Sequence, residues 1–120
     1  MTEENISSIE IRRAGNQEYY YVFRLTNDGI FVSIFFDSIS EIKVAIEYSQ
    51  RISTDDARYL CKTNSEGDDY FVFLTKNNKP IGQSTIFEQT SKMNAGIHYM
   101  QKHLQRADVA DLTTVLFSYK

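Results

Sequence analysis

The side chains that could carry chemistry in this 120-residue sequence are few, with two histidines and one cysteine among them. His98 and His103 are five residues apart in a helix-like segment, so they lie roughly 140° apart around the helix axis, whereas two ligands of one metal are usually three or four residues apart. Cys61 stands in a strand-like segment beside Lys62, with no histidine nearby in the sequence. Since a catalytic thiol needs a base or a positive field, we interpret Cys61 as a small buried or edge-strand apolar residue, and we predict no metal site.

The remaining acidic and glycine-containing segments do not match a known catalytic pattern. Asp108 and Asp111 are three apart in a predicted strand, so they face opposite sides and cannot act as a carboxylate pair. The acidic segments at 53–56 and 66–69 lack the ligand spacing of a calcium-binding loop. No nucleophile elbow, phosphate-binding glycine loop or dinucleotide fingerprint occurs in the sequence. We therefore predict no catalytic residues, no cofactor and no enzyme activity.

Composition places the chain among ordinary globular proteins. Hydrophobic residues make up 42% and charged residues 24%, close to the average for soluble domains. The net charge of −3 provides no overall positive field for phosphate backbones, which disfavours nucleic acid as a partner. One cysteine forms no internal disulfide, the first residues do not resemble a signal peptide, and no run of about 18 apolar residues occurs. We expect a cytoplasmic protein that does not enter a membrane.

One sequence motif occurs twice, as YVFRLTNDGI at 21–30 and as YFVFLTKNNKPI at 70–81. The copies match at a shift of 49 residues in the first strand, where Tyr21 aligns with Tyr70, and at a shift of 51 after the turn. Aromatic and β-branched residues flank Asn-Asp-Gly in the first copy and Lys-Asn-Asn-Lys-Pro in the second, and both patterns predict a β-hairpin.

A helix is predicted after each hairpin, and a short strand after each helix. Ser38 and Glu41 have the spacing of a capping box at the start of the first helix. The second helix is predicted at about 90–105, and short strands are predicted at 57–63 and 107–117. Each helix carries one apolar stripe: Ile42, Ala45, Ile46, Ser49 and Ile52 in the first, and Met93, Ile97, Met100 and Leu104 in the second.

The order and doubling of these motifs is similar to that of a known family. The segments YVFRLTNDGI, SIFF, AIEY and DARYLCKT, followed by YFVFLTKNNKPIGQSTIF, AGIHY and ADVADLT, resemble the YegP-like tandem-repeat proteins, a bacterial family of unknown function. The resemblance covers about 9–113. It implies two β3-α-β units that share a sheet and exchange their final strands, with 57–63 beside copy two and ADVADLT beside copy one. The family offers no established catalytic residues to transfer.

These observations predict a single α+β domain over 1–120, made of two tandem β(3)-α-β repeats at about 8–56 and 57–117. About seven strands would share an antiparallel sheet with exchanged C-terminal strands, and two helices would cover one face.

The uncovered face of such a sheet is the feature of most functional interest. One alternating set is predicted to face the helices: Tyr19, Tyr21, Phe23 and Leu25, with Tyr70, Val72 and Leu74. The predicted interaction surface consists of Tyr20, Val22, Phe31, Phe35, Phe71 and Phe73. An apolar face of this extent is uncommon on a soluble monomer. Three explanations stay open: strong sheet curvature encloses the residues, two copies form a homodimer, or a protein or small apolar ligand binds.

We accordingly predict a non-enzymatic interaction or self-association module. The alternative is a nucleic-acid-associated protein in which Arg12, Arg13 and Arg24 converge with strand aromatics to form a platform for a single strand. Acidic neighbours in the same region, including Glu10 and Glu18, weaken that alternative because they cancel the positive charge.

Overall fold

The computed structural model describes residues 8–26 and 28–113. Within these ranges the elements are β1 (Ser8–Gly15), β2 (Glu18–Arg24), β3 (Ile30–Ser33), α1 (Ile39–Ile52), β4 (Tyr59–Thr63), β5 (Asp69–Leu74), β6 (Pro80–Ser84), α2 (Thr90–His103) and β7 (Asp108–Asp111). The seven strands lie in one sheet, in the order β4-β5-β6-β3-β2-β1-β7, and the two α-helices accompany it. The predicted α+β class is confirmed.

Hairpins and one central pairing assemble most of the sheet. β1, β2 and β3 pair in sequence, as do β4, β5 and β6, and β3 joins β6 in the middle of the sheet. All of these neighbours are antiparallel. Because β3 and β6 come from the two halves of the chain, the sheet is continuous across both.

The strand β7 departs from the predicted antiparallel sheet. It pairs with β1 in parallel, with Ser8 opposite Asp108 and Ile11 opposite Asp111. A hairpin produces antiparallel neighbours, whereas a parallel neighbour needs a longer crossover. The chain reaches β7 through α2 and a 3-10 turn at Leu104–Arg106 rather than through a hairpin. It can therefore enter the sheet at the same end as β1 and run in the same direction. The prediction of an entirely antiparallel sheet is wrong at this edge.

Both helices pack on the same face of the sheet. Tyr21 and Phe23 are two apart on β2, so their side chains point to one side. The Tyr21 hydroxyl is 2.7 Å from the Ser49 hydroxyl on α1, and the Phe23 ring lies 6.1 Å from the Tyr99 ring on α2. Each helix is about 21 Å long at 1.5 Å per residue. Neither is long and apolar enough to cross a membrane, within the ranges described.

The start of α1 follows from its first residues. Ser38 Oγ accepts a hydrogen bond of 3.1 Å from the Glu41 backbone N–H, as the capping-box spacing predicts. Glu41 Oε1 in turn accepts from the Asp37 backbone N–H at 3.3 Å, one residue earlier than in the usual box. These contacts satisfy helix-end donors that would otherwise lack partners.

Aromatic rings from both halves of the chain meet in one core. The Phe31 ring lies 5.8 Å from Tyr21, 6.3 Å from Phe71 and 5.7 Å from Phe73, measured between centroids. Residues with no exposed surface include Ile9, Ile11, Tyr21, Phe23, Phe31, Ile42, Phe71, Phe73, Met100 and Leu104. Since this single cluster spans both halves, neither half can unfold without exposing the core of the other.

Equivalent hydrogen bonds in the two hairpins pair residues of the first copy with residues of the second copy differently from the way the sequence motifs pair them. The Tyr21 N–H donates to Ser33 Oγ at 2.9 Å, and the Phe71 N–H donates to Ser84 Oγ at 3.1 Å. The equivalent of Tyr21 is therefore Phe71, at a shift of 50, and not Tyr70. A shift of one residue moves every side chain of a strand to the other face.

This register corrects the predicted faces in the second half. Tyr70 and Val72 do not line the helix-facing side, because Phe71 and Phe73 do so and are completely buried. Only one extra residue remains in the second hairpin. It is absorbed where the register shifts between Phe73 and Leu74, opposite Pro80, which has no N–H for the ladder.

Candidate interaction surface

The side of the sheet opposite the helices, called the outer face, carries a row of side chains across six strands. Pairing links each member to the next: Leu60, Val72, Gln83, Val32, Val22 and Glu10, from β4 to β1. Paired residues in neighbouring strands point to the same face. The row is apolar apart from Gln83 in the middle and Glu10 at its end.

The six residues of the predicted interaction surface are divided between the two sides of the sheet. Tyr20 and Val22 lie on the outer face, and the Phe35 ring packs edge-on against Tyr20 at 6.0 Å while 59% of Phe35 is exposed. Val22 is only 3% exposed, so it belongs to the outer face without being open to a partner.

The other three members of the predicted surface are corrected by the structure. Phe31, Phe71 and Phe73 have no exposed surface and pack together beneath the helices. They occupy the helix-facing positions of their strands in the observed register. Their inclusion in an exposed interaction surface is therefore wrong.

Two exposed residues that were not predicted as anchors extend the outer face. Ile34 is 47% and Leu60 46% exposed, and both are large apolar residues. The Ile34 N–H donates to the Ile81 carbonyl at 2.8 Å, which continues the β3–β6 pairing by one residue. We define the outer-face patch as Tyr20, Val22, Val32, Ile34, Phe35, Leu60 and Val72. Alternation counted from Val22 and Val32 would have found Ile34, whereas Leu60 required the register of β4.

A shallow hollow lies on the patch where β3 meets β6. It has a volume of about 320 Å³ and is lined by Val32, Ile34, Val72, Pro80 and Gln83, together with backbone at Ser33 and Gly82. This volume is at the lower end of the roughly 300–1,000 Å³ that small-molecule pockets occupy. The hollow can hold one apolar side chain, with the Gln83 amide at its rim as a hydrogen-bonding group.

The three arginines of the nucleic-acid alternative do not converge. Arg12 and Arg24 lie on the outer face, where the Arg12 guanidinium is 2.5 Å from the Glu10 carboxylate. This hydrogen bond raises the pKa of Arg12. Arg13 instead points to the other side of β1, with its guanidinium 5.7 Å above the Tyr19 ring. The prediction of one basic platform from all three residues is wrong.

Cys61 lies on an edge strand of the sheet, and one of the two histidines packs against an aromatic ring. Cys61 is exposed on β4, and partial burial and the nearby Asp69 carboxylate both raise the pKa of its thiol. A raised pKa keeps sulfur protonated and weakly nucleophilic. The His103 ring packs against the Tyr99 ring at 4.3 Å. Among the residues described, no three potential metal ligands come together.

Comparison with known proteins supports the resemblance seen in the motifs. No family model matches the chain. A UPF0339 protein of Photorhabdus laumondii is 25% identical over 109 residues, which cover 90% of this chain and 96% of that protein. A UPF0339 protein of Acinetobacter baylyi is 28% identical over 105 residues, covering 87% and 95%. A solution NMR structure of the protein of unknown function yegP from E. coli superposes with a TM-score of 0.81. The YegP-like resemblance is confirmed.

The YegP-like fold extends over nearly the whole chain. The E. coli structure is 21% identical in sequence, and the match covers 93% of this chain and 97% of that one. A solution NMR structure of a UPF0339 protein from Shewanella oneidensis has a TM-score of 0.83 at 22% identity, covering 95% and 98%. At these identities the structural matches establish the fold alone.

Proposed function

We propose that this YegP-like chain is a non-catalytic binding module whose outer-face patch docks an apolar surface of a partner protein. The observation that supports the proposal is the row of apolar side chains on the side of the sheet that neither helix covers. Most soluble monomers do not leave such residues next to one another on a flat surface.

The size and shape of the patch favour a protein over a small ligand. From Leu60 to Val22 the row crosses five strands, which is about 20 Å at the usual spacing between strands. The hollow over β3 and β6 accounts for only part of the patch, because Tyr20, Phe35 and Leu60 lie outside its lining. Burying Ile34, Phe35 and Leu60 would each contribute up to roughly 1.5–3 kcal/mol, reduced because each is already partly covered. That total offsets the cost of association only for a modest affinity.

We also propose that the scaffold consists of two tandem β(3)-α-β repeats with exchanged final strands. The matching bonds to Ser33 Oγ and Ser84 Oγ support this, as does the pairing of β4 with β5 and of β7 with β1. In such an arrangement both helices pack on one side. The outer face then stays continuous across the junction of the repeats.

Three further expectations remain predictions. Self-association through the outer face would now depend on Tyr20 and Phe35, because Val22 and the three phenylalanines are buried and cannot contribute. A cytoplasmic location and the absence of enzyme activity likewise remain predictions from sequence.

The proposal is tested by titrating the ¹⁵N-labelled protein with the amphipathic fluorophore 8-anilinonaphthalene-1-sulfonate, whose aromatic rings bind apolar surfaces, and following amide shifts by NMR. We expect shifts at β3, β5 and β6 on the outer face, and we expect the double variant Ile34→Ser/Phe35→Ser to weaken them. Val109→Ser is the matched control, since Val109 is 44% exposed on β7 and lies outside the patch, on the face that it shares with the buried Ile9. Shifts confined to the α1 surface, or equal binding by the double variant, would contradict the proposal.

A further inference from the structure

One flank of α1 carries four residues that lie outside its buried side, although one of them, Tyr48, packs partly against the core and its hydroxyl accepts a hydrogen bond from the Lys76 backbone N–H at 2.9 Å. The core side of α1 consists of Ile42, Ile46, Ser49 and Ile52. On an adjoining flank of the helix a line of residues with spacings of three, four and three runs along the helix: Glu41, Val44, Tyr48 and Arg51. Residues with this spacing lie on one face of a helix, as in the seam of a coiled coil. We call these four residues the α1 stripe.

The α1 stripe combines an apolar centre with charged ends. Val44 is 67% exposed, the largest value among the exposed large apolar residues described, and Tyr48 beside it is half-buried. Glu41 and Arg51 lie at opposite ends, about 15 Å apart along the helix axis. All four residues line one open groove of about 610 Å³, which Phe36 and Ala45 help to form.

The charged ends are available for contacts with another molecule. Glu41 uses one carboxylate oxygen to accept from the Asp37 backbone, and the Arg51 guanidinium lies 5.9 Å above the Tyr48 ring. The ion pairs found among the described residues are Arg12–Glu10 and Arg58–Asp55. Neither of them involves an end of the stripe.

The stripe is complementary to a second copy of itself. If two α1 helices lie antiparallel about a twofold axis near residue 46, Glu41 faces Arg51 of the other copy, and Val44 faces Tyr48. Each facing pair has the same sum of residue numbers, so all four contacts form in a single register. An isologous dimer requires this reciprocity, because each contact is repeated by the symmetry. The antiparallel arrangement also sets the two helix dipoles favourably.

We infer that two copies of this protein associate through the α1 stripe, antiparallel, with Glu41 and Arg51 forming two reciprocal ion pairs around Val44 and Tyr48. This dimer leaves the outer face of both copies free, since α1 covers the other side of the sheet. It extends the proposed function by making the module bivalent, and two linked sites bind a repetitive or dimeric partner more tightly than one. Four residues on each copy are far fewer than the roughly 20–30 a side of a standard interface, so we expect a weak dimer that exchanges readily.

Charge reversal provides the test, with mass measured by light scattering during size-exclusion chromatography and dissociation constants measured by sedimentation. We expect a concentration-dependent dimer for the wild type. Glu41→Arg and Arg51→Glu each place like charges opposite one another twice, and each should raise the dissociation constant about tenfold or more. A mixture of the two variants should form heterodimers, because both facing pairs are again of opposite charge. Lys43→Glu is the control on the same helix, outside the stripe, and should dimerise like the wild type.

The outcomes separate this inference from the proposed function. A wild type that stays monomeric at high micromolar concentration overturns the α1 dimer but leaves the outer-face patch untested by that result. Dimers that resist both reversals but dissociate in Ile34→Ser/Phe35→Ser also overturn it, and they place self-association on the outer face. Since Glu41→Arg removes a cap contact, the melting temperature of each variant is measured first. Recovery of dimers in the mixture excludes misfolding as the cause of dissociation.

Discussion

Gly82 lies where the two halves of the sheet meet, and its replacement by alanine tests whether that junction is as close as the structure has it. Gly82 pairs with Ser33 of β3 on one side and with Phe73 of β5 on the other. A Cβ atom at this position would be 2.4 Å from the Val32 carbonyl oxygen and 2.7 Å from Phe31 Cζ. Both distances are shorter than real Cβ contacts allow, and the nearer atom belongs to backbone.

The expected magnitude follows from overpacking. Inserting a methyl group into a well-packed core costs about 1–3 kcal/mol. Restricting the unfolded chain by replacing glycine offsets roughly 0.4–1 kcal/mol of this. We therefore expect Gly82→Ala to lose on the order of 1–2 kcal/mol. For a domain near this size that corresponds to a decrease in melting temperature of roughly 5–15 °C.

Thermal and urea unfolding followed by circular dichroism measure this loss. Gly15→Ala is the matched control, because its Cβ would meet only Glu18 Oε1, at an ordinary 3.8 Å. We expect the control to be as stable as the wild type or slightly more stable. Equal stability of Gly82→Ala and Gly15→Ala would refute the close packing of β3 against β6 over Phe31.

Three further changes test the register, the core and the pH dependence. Phe71→Ala should cost about 3–5 kcal/mol in urea unfolding, whereas Tyr70→Ala should cost about 1 kcal/mol, and the reverse order would contradict the observed register. Tyr21→Phe should cost about 1 kcal/mol by the same measurement, since Ser49 keeps its bond to a helix carbonyl, and an unchanged stability would argue against the buried hydroxyl pair. Hydrogen bonds from the hydroxyls of Thr90 and Thr63 lower the pKa of Asp69. Its stabilising contribution is therefore present above the unfolded pKa and is lost as pH falls through the folded value. Asp69→Asn should have a flatter profile of stability against pH below about pH 4, and parallel profiles for the variant and the wild type would contradict this.

The elements of this fold are readable from sequence because their local signals agree. Turn residues connect the aromatic-rich strands of two hairpins. Ser38 with Glu41 marks the start of α1, where Ser38 Oγ accepts the hydrogen bond from the Glu41 N–H. The buried stripe of α1 follows the predicted period, apart from Ala45, which is half-buried. These features depend on neighbours close in the chain, so the sequence contains the information needed to predict them.

The faces of the second hairpin were not predictable in the same way. In DYFVFL both alternating sets are apolar, so periodicity cannot choose between Tyr70 with Val72 and Phe71 with Phe73. Matching the tyrosines of the two copies favoured a shift of 49, but the packing of Phe71 and Phe73 against Phe31 fixes a shift of 50. The choice depends on contacts between distant segments.

The pairing of β7 with β1 is also beyond local sequence. Nothing in DVAD distinguishes a parallel from an antiparallel neighbour, because that choice depends on the path through α2. The three arginines differ in this respect, because Arg12 and Arg13 are consecutive in β1 and strand alternation alone places them on opposite faces.

The central claim is that neither helix covers the outer face of the sheet, so its exposed apolar side chains are open to solvent, while both helices pack on the opposite face. The most direct measurement is the relaxation of side-chain methyl groups by a soluble paramagnetic agent in NMR. The account predicts strong relaxation at Ile34 and Leu60, and protection at Ile42 and Ile46, which are buried between α1 and the sheet. Equal protection at Ile34 and Leu60 in the monomer would contradict it, because another part of the chain would then cover the proposed binding surface.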